Sequence, residues 1–160
     1  MRSTILFSLA LLAFSPAIRG TGDGPLDRGT LRGLKAVGVI VDPPDPPLDS
    51  EGLTADVLRR QLEGRLRHGG INVDPGAVEF LGLRVSSVRT RKGPYTLCLS
   101  IGVYQPVSLT RDKEIHTATP TWQADTLMVA QPKLLMQSST TALDQLADQF
   151  VAAWRSVNPQ

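Results

Sequence analysis

Hydrophobic and polar residues alternate over long stretches in the second half of the chain. In the segment 95–109, most odd-numbered positions are apolar and most even-numbered positions are small or polar. The segments 79–88 and 114–129 show the same period of two, although Pro120 interrupts the second. Strict alternation is typical of strands that bury only one face, and an internal proline fits an edge strand or a bulge. The pattern therefore predicts three antiparallel strands.

Two other segments carry apolar residues at helical spacing. The first predicted helix follows a capping residue, Thr54, and ends at Gly69-Gly70, with an apolar stripe formed by Leu58, Leu62 and Leu66. The second begins between Ser138 and Thr141 and ends near Val157, and its apolar stripe comprises Leu143, Leu146, Ala147, Phe150, Val151 and Trp154.

The remaining segments complete a single domain at 34–160. The apolar run at 34–41 predicts a buried strand, and 71–73 predicts a short additional strand. We expect an α+β two-layer sandwich: a mainly antiparallel sheet of four to five strands with two helices on one face, in the order β-α-(β)-β-β-β-α. The glycine-rich segment before it predicts a flexible lead-in over 18–33.

The amino terminus has the pattern of a bacterial signal peptide over residues 1–17. Arg2 precedes an apolar run at 5–14, and Ser15-Pro16-Ala17 supplies small residues for cleavage. The run is too short to span a bilayer, since ten helical residues rise only about 15 Å. An uncleaved anchor or a buried helix is the alternative interpretation. No cysteine follows the run, which excludes a lipoprotein anchor, so we expect a soluble protein in the periplasm or outside the cell.

Composition excludes several function classes. The 17 Lys and Arg against 15 Asp and Glu give a net charge of +2, which argues against a nucleic-acid partner recruited by bulk charge. The single cysteine, Cys98, excludes an internal disulfide and any multi-cysteine metal site. It predicts a packed free thiol, with an intermolecular bridge as the alternative. His68 and His116 have no metal-ligand companions at suitable spacing, and no nucleophile elbow or phosphate loop is present. We therefore predict no catalytic, cofactor-binding or metal-binding residues and no enzyme activity.

Three features keep alternative interpretations open. The acidic, proline-rich loop at 42–51 is interpreted as a stiff connector, with a calcium site or an exposed polyproline ligand as alternatives. Arginines on the first helix and around residues 84–92 indicate a solvated surface, although contact with phosphate or an anionic membrane stays open. Trp122 and Trp154 share the phase of apolar neighbours and are predicted to be core residues, with sugar stacking as the alternative.

One predicted surface is a candidate interface. The sheet face opposite the helices is expected to be lined by small uncharged residues, which would let a protein partner approach closely. Tyr104 is the expected anchor of this interface, and its other residues are Ser100, Thr117, Thr119 and Thr121.

Three phrases carry a resemblance to known proteins: LRGLKAVGVIVD before the first helix, GGINVD after it, and FVAAWRSVNP in the last helix. With the long alternating strands, they resemble uncharacterised exported bacterial α+β proteins. The opening strand, helix and strand also resemble the amino-terminal α/β domain of the Tol-system translocation protein and of envelope activator lipoproteins. The chain departs from that group in lacking a lipidation cysteine and a propeller. The resemblance implies an accessory role in the envelope and transfers no functional residue.

The sequence thus predicts a non-catalytic, exported accessory protein that acts through contacts with a protein partner. The first alternative is a periplasmic binding module for a small or lipidic ligand held between helices and sheet. That function requires a cavity among Leu97, Leu99 and Ile101. The second alternative is a hydrolase, which requires two carboxylates that converge in one cleft.

Overall fold

The computed structural model of the protein describes residues 22–89, 91 and 93–159. The signal peptide predicted at residues 1–17 lies outside the described residues, as does the beginning of the predicted lead-in.

Four strands form one sheet in the order β1-β2-β3-β4. They are β1 (Gly38–Val41), β2 (Phe80–Arg89), β3 (Tyr95–Leu109) and β4 (Asp112–Ala130). β1 pairs with β2 in parallel, whereas β2, β3 and β4 form an antiparallel meander. The three predicted antiparallel strands are therefore confirmed, and β4 is an edge strand, one of the two arrangements that Pro120 indicated.

Two long helices cover one face of the sheet. They are α3 (Ala55–His68) and α4 (Leu135–Val157), and the shorter helices α1 (Pro25–Gly29) and α2 (Pro46–Ser50) precede them in the chain. α3 contacts β1 and α4, and α4 contacts β3 and β4. The α+β two-layer sandwich is confirmed. Thr54 caps α3 as predicted, because its hydroxyl accepts a hydrogen bond from the Val57 N–H at 3.2 Å.

The core lies between the sheet and the two long helices. The odd-numbered residues from Tyr95 to Val103 of β3 are buried, together with the leucine stripe of α3 and the apolar stripe of α4. Trp122 packs against Phe150 of α4, with ring centroids 5.3 Å apart. Each fully buried large apolar side chain contributes about 1.5–3 kcal/mol, so these two stripes hold the layers together.

Three elements differ clearly from the sequence prediction. β1 begins at Gly38, whereas the predicted strand begins at residue 34. α4 begins at Leu135, before the capping residues at 138–141, because a 3-10 turn over Pro132–Leu134 leads directly into it and Leu135 is buried. The predicted strand at 71–73 is reduced to a single bridge between Val37 and Val73. Gly70 lies directly before this segment and adopts a left-handed φ of 85°, and a second turn begins at Pro75. Only a short extended stretch fits between the two turns.

The described part of the predicted lead-in is packed, so the prediction of a flexible segment is wrong for residues 22–33. Leu31 is fully buried, and the Asn158 side chain donates to its carbonyl oxygen at 2.9 Å. The connector at 42–51 is likewise anchored, because α2 forms within it and Leu48 is fully buried. In each segment, burial of one leucine holds the backbone in place although the local glycine and proline content favours a loop.

Candidate functional site

The sheet face opposite α3 and α4, called here the open face, is the first candidate site. Its members follow from the strand register, because residues directly opposite each other on neighbouring strands point to the same side. They lie in cross-strand rows that read Phe80–Tyr104–Pro120, Gly82–Gly102–Gln123, Arg84–Ser100–Asp125, Ser86–Cys98–Leu127 and Val88–Thr96–Val129.

One end of the open face is apolar and exposed to solvent. Val88, Leu127 and Val129 are 71%, 74% and 66% exposed. They occupy two adjacent rows together with Cys98, whose thiol is exposed. The packed thiol expected for Cys98 is therefore wrong, since its parity places it on the face away from the helices. Leu127 and Val129 are neighbours on β4, whereas Val88 lies across the row from Val129 with Thr96 between them. Exposed apolar side chains that lie close together mark contact surfaces more often than isolated ones do.

The other end of the open face carries a stacked aromatic pair. The rings of Phe80 and Tyr104 are nearly parallel, with centroids 4.9 Å apart. Gly82 allows this arrangement, because a Cβ atom at that position would lie 2.8 Å from Cε2 of Tyr104. A groove of about 380 Å³ runs beside the pair and is also lined by Ile40, Asp42, Arg84, Ser100 and Gln123.

An ion pair borders this groove. Nε of Arg84 lies 2.8 Å from Oδ2 of Asp42, and this hydrogen bond raises the pKa of Arg84 above its usual value. Both side chains are largely exposed, so the pair contributes little to stability. Its guanidinium and carboxylate are therefore free to exchange partners when another molecule docks.

The structure splits the predicted interface residues between two faces. Ser100 and Tyr104 lie on the open face as expected. A β-bulge between Val103 and Tyr104 leaves Thr121 as an extra residue in β4 and reverses the parity of the residues before it. Consequently Thr119 pairs with Gln105 and Thr117 with Val107, on the side of the sheet that faces the helices. The prediction that the three threonines join Tyr104 in one surface is wrong.

A second groove, called here the edge groove, lies between β4 and the first half of α4. Its volume is about 410 Å³, and none of its lining side chains carries a charge: they are Thr126, Met128, Leu134, Gln137, Ser138, Thr141, Ala142 and Gln145. The sequence did not predict this groove, because the groove forms only where β4 and α4 pack against each other.

A buried carboxylate fastens the amino-terminal segment to both layers. Oδ1 of Asp23 accepts hydrogen bonds from Arg28 Nε at 2.7 Å and Trp122 Nε1 at 2.8 Å. Its Oδ2 accepts from Arg28 Nη2 at 2.8 Å and Gln149 Nε2 at 3.0 Å. Burial raises the pKa of Asp23, but the hydrogen bonds from Arg28, Gln149 and Trp122 outweigh this effect and lower the pKa from 3.8 to about 2.

The Asp23 cluster has the character of a structural anchor. Every oxygen lone-pair direction of the carboxylate is engaged by the protein's own donors, which leaves no acceptor for a substrate proton. Trp122 belongs to the core, as predicted, and so does the half-buried Trp154, whose indole N–H donates to the Leu34 carbonyl oxygen at 2.9 Å.

Elsewhere among the described residues, side chains that could ligate a metal lie apart from one another. No group of three or more His, Cys, Asp or Glu side chains there is arranged to hold a metal ion. His116 pairs only with the Ser108 hydroxyl at 3.0 Å, in an exposed position. No helix in the described part of the chain has the length and apolar character needed to cross a bilayer.

Comparison with known proteins assigns neither a family nor a function to the chain. No protein-family model matches the chain, and no curated protein sequence matches it either. Among solved structures, the chain is similar to the dodecamer of a PelC point variant from Paraburkholderia phytofirmans, with a TM-score of 0.44 and 12% sequence identity. The match covers 79% of this chain and 88% of that chain. An identity and a TM-score this low do not carry a function from that protein to this one.

Proposed function

We propose that the protein is a non-catalytic, exported accessory protein of a bacterial envelope, and that it binds a partner protein through the open face of its sheet. The observation that carries this proposal is the exposed apolar end of that face, formed by Val88, Leu127 and Val129 in adjacent rows. Export rests on the signal-peptide pattern at residues 1–17, and the envelope role is consistent with the sequence resemblance described above.

The composition of the open face favours a protein over a small molecule as its occupant. Its rows span three antiparallel strands and change from apolar, through the exposed pair of Arg84 and Asp42, to the aromatic pair of Phe80 and Tyr104. Apolar, aromatic and arginine side chains thus share one surface, and aromatic and arginine residues are enriched in protein interfaces. Aromatic and arginine side chains are also the residue types that carry most binding energy in such interfaces.

The alternative functions have less support. A ligand held between helices and sheet needs space beside Leu97, Leu99 and Ile101, yet all three are fully buried within the continuous core. A hydrolase needs two carboxylates in one cleft. The groove on the open face is lined by one, Asp42, and that carboxylate is engaged by Arg84.

Paired valine variants test the proposal in the native envelope. Val88→Glu places a charge within the apolar end of the open face, whereas Val78→Glu makes the same change in the loop before β2. Both valines are 71% exposed, so the two variants are matched in chemistry and exposure. The tagged full chain is cross-linked in cells of the native host, and its partners are identified by mass spectrometry.

We expect one stoichiometric partner to be recovered with the wild type and with Val78→Glu, and at least tenfold less with Val88→Glu. Circular dichroism of both purified variants checks that the fold is retained, since neither side chain contributes to the core. Equal recovery of the partner with both variants would show that the open face is not the binding surface. Recovery of the wild-type protein alone would remove the accessory role.

A further inference from the structure

The outer edge of β4 presents backbone groups that have no partner within the described part of the chain. β4 is the last strand of the sheet, and the Gln123 N–H donates to the Gly22 carbonyl oxygen at 3.0 Å, away from β3. Backbone groups of an antiparallel strand point alternately to its two sides. The N–H and C=O groups of Asp125, Leu127 and Val129 therefore point outward as well.

The chain itself forms one backbone hydrogen bond with this edge, between the Gln123 N–H and the Gly22 carbonyl oxygen. The segment that begins at Gly22 lies against the edge, where the Thr30 hydroxyl also donates to the Thr121 carbonyl oxygen at 3.3 Å. α1 then contacts both β4 and α4. The contact ends at Gln123. Within the described part of the chain, the outward N–H and C=O groups of residues 124–130 form no hydrogen bond.

The edge groove lies directly beside this uncovered stretch. Thr126 and Met128, on the helix-facing side of β4, form one wall, and the first half of α4 forms the other. The opposite flank of α4 is occupied by α3, through hydrogen bonds such as that from Gln61 to Asp144 at 2.7 Å. The groove therefore lies on the flank of α4 that faces away from α3, beside the edge of β4.

We propose that this groove binds an extended segment of a partner protein, which adds to β4 as a fifth strand over residues 124–130. Outward backbone groups at every second residue select an extended chain, because a helix or a lipid leaves them unsatisfied. Alternate side chains of the added strand enter the edge groove, whose uncharged lining selects uncharged, apolar residues at those positions. The remaining side chains pack beside Leu127 and Val129, which are exposed on the other side of β4.

The added strand borders the open face at Leu127 and Val129, but the proposal does not require the rest of the open face to bind anything. Its recognition is carried by the backbone of β4 and by the edge groove. Val88, the position that tests the open face, lies on β2, two strands away from the free edge. Failure of one proposal therefore leaves the other intact.

Selection from a random dodecapeptide phage library on the intact chain provides a direct test. We expect enriched peptides with uncharged apolar residues at alternate positions. When such a peptide is added to labelled protein, the amide NMR signals of Asp125, Leu127 and Val129 should shift, together with signals from α4 residues 137–145. Enrichment of charged or helix-patterned peptides, or no enrichment at all, would overturn the proposal.

Two pairs of variants separate the backbone and groove contributions. Leu127→Pro removes an outward N–H without touching the ladder to β3, whereas Leu127→Ala shortens the same side chain and keeps the N–H. We expect about tenfold weaker peptide binding for the proline variant and less than threefold for the alanine variant. Thr141→Trp fills the groove and should weaken binding at least tenfold, whereas Ala152→Trp, at an exposed position of the same helix outside the groove, should not.

The same variants identify other occupants. If the protein forms dimers by sedimentation and Leu127→Pro returns it to the monomer, a second copy of the chain occupies the edge and the proposal of a different partner is wrong. If the proline and alanine variants bind the selected peptide equally, strand addition at this edge is refuted.

Discussion

Replacement of Asp23 by asparagine isolates the contribution of the buried anchor. Asparagine keeps the size of the side chain but exchanges one acceptor oxygen for an NH₂ donor. That group would face the donors of Arg28 or Gln149, so at least one hydrogen bond is lost and the guanidinium of Arg28 loses its charged partner. The substitution therefore leaves at least one of the donors around residue 23 without its acceptor.

The pKa of Asp23 gives the magnitude. Its fall from 3.8 to about 2 corresponds to about 2 kcal/mol of stability from ionisation, at roughly 1.4 kcal/mol per pKa unit. The unsatisfied donors add to this, and removal of one partner from a buried ion pair costs about 3–5 kcal/mol. Since Arg28 is partly exposed, we expect the lower end, about 3 kcal/mol, for Asp23→Asn at neutral pH.

Urea unfolding followed by tryptophan fluorescence measures this loss. Trp122 reports directly, because its indole N–H donates to Asp23 at 2.8 Å. Asp125→Asn is the matched control: this aspartate is exposed and contacts only the Gln123 amide in its side-chain hydrogen bonds, so we expect a change below about 0.5 kcal/mol. A loss below about 1 kcal/mol for Asp23→Asn would refute the assignment of the carboxylate as an anchor.

The pH dependence supplies an independent check of the sign. The folded pKa of Asp23 is lower than the unfolded value, so its ionisation stabilises the protein fully above pH 3.8. This contribution is lost as the pH falls from 3.8 to about 2. The difference in unfolding free energy between wild type and Asp23→Asn should therefore shrink across that range. A difference that stays constant from neutral pH to the acid limit would contradict the reasoning.

Three further substitutions test packing at single positions by urea unfolding. Thr54→Ala removes the N-cap hydrogen bond of α3 and should cost about 1 kcal/mol; Thr54→Ser should restore most of it. Gly69→Ala brings a Cβ atom to 2.5 Å from Cγ2 of the core residue Val151, so we expect a loss of about 1–3 kcal/mol from overpacking. Gly64→Ala, within α3 where no atom lies within 4 Å of the new methyl group, should instead stabilise by up to about 1 kcal/mol. Equal effects at both glycines would show that the contact with Val151 is not tight.

Much of the secondary structure could be predicted from local patterns. The period of two over 95–109 gave β3 with the bounds that the structure has, and the leucine stripe after Thr54 gave α3. The prediction failed where local composition and tertiary packing disagreed. Glycine and proline before residue 34 indicated a flexible segment, but burial of Leu31 and the partners of Asp23 hold it in place.

The candidate sites depended on tertiary structure to a greater degree. The sequence placed Ser100 and Tyr104 on the open face correctly, because β3 alternates without interruption. It placed Thr117 and Thr119 there incorrectly, because one extra residue at Thr121 reverses the parity of a strand. Pro120 indicated a bulge as an alternative to an edge position, yet the sequence did not show which residue would be the extra one.

By itself, the sequence determined the fold class, the main elements and the face that each buries, because these follow from periodicities of two and 3.6 along the chain. Only the tertiary structure decided which residues from distant segments meet. Asp23 and Gln149 are 126 positions apart, and the edge groove joins an exposed side of α4 to the free edge of β4. Such contacts depend on how helix and sheet pack against each other, and that packing leaves no periodic signal in the sequence.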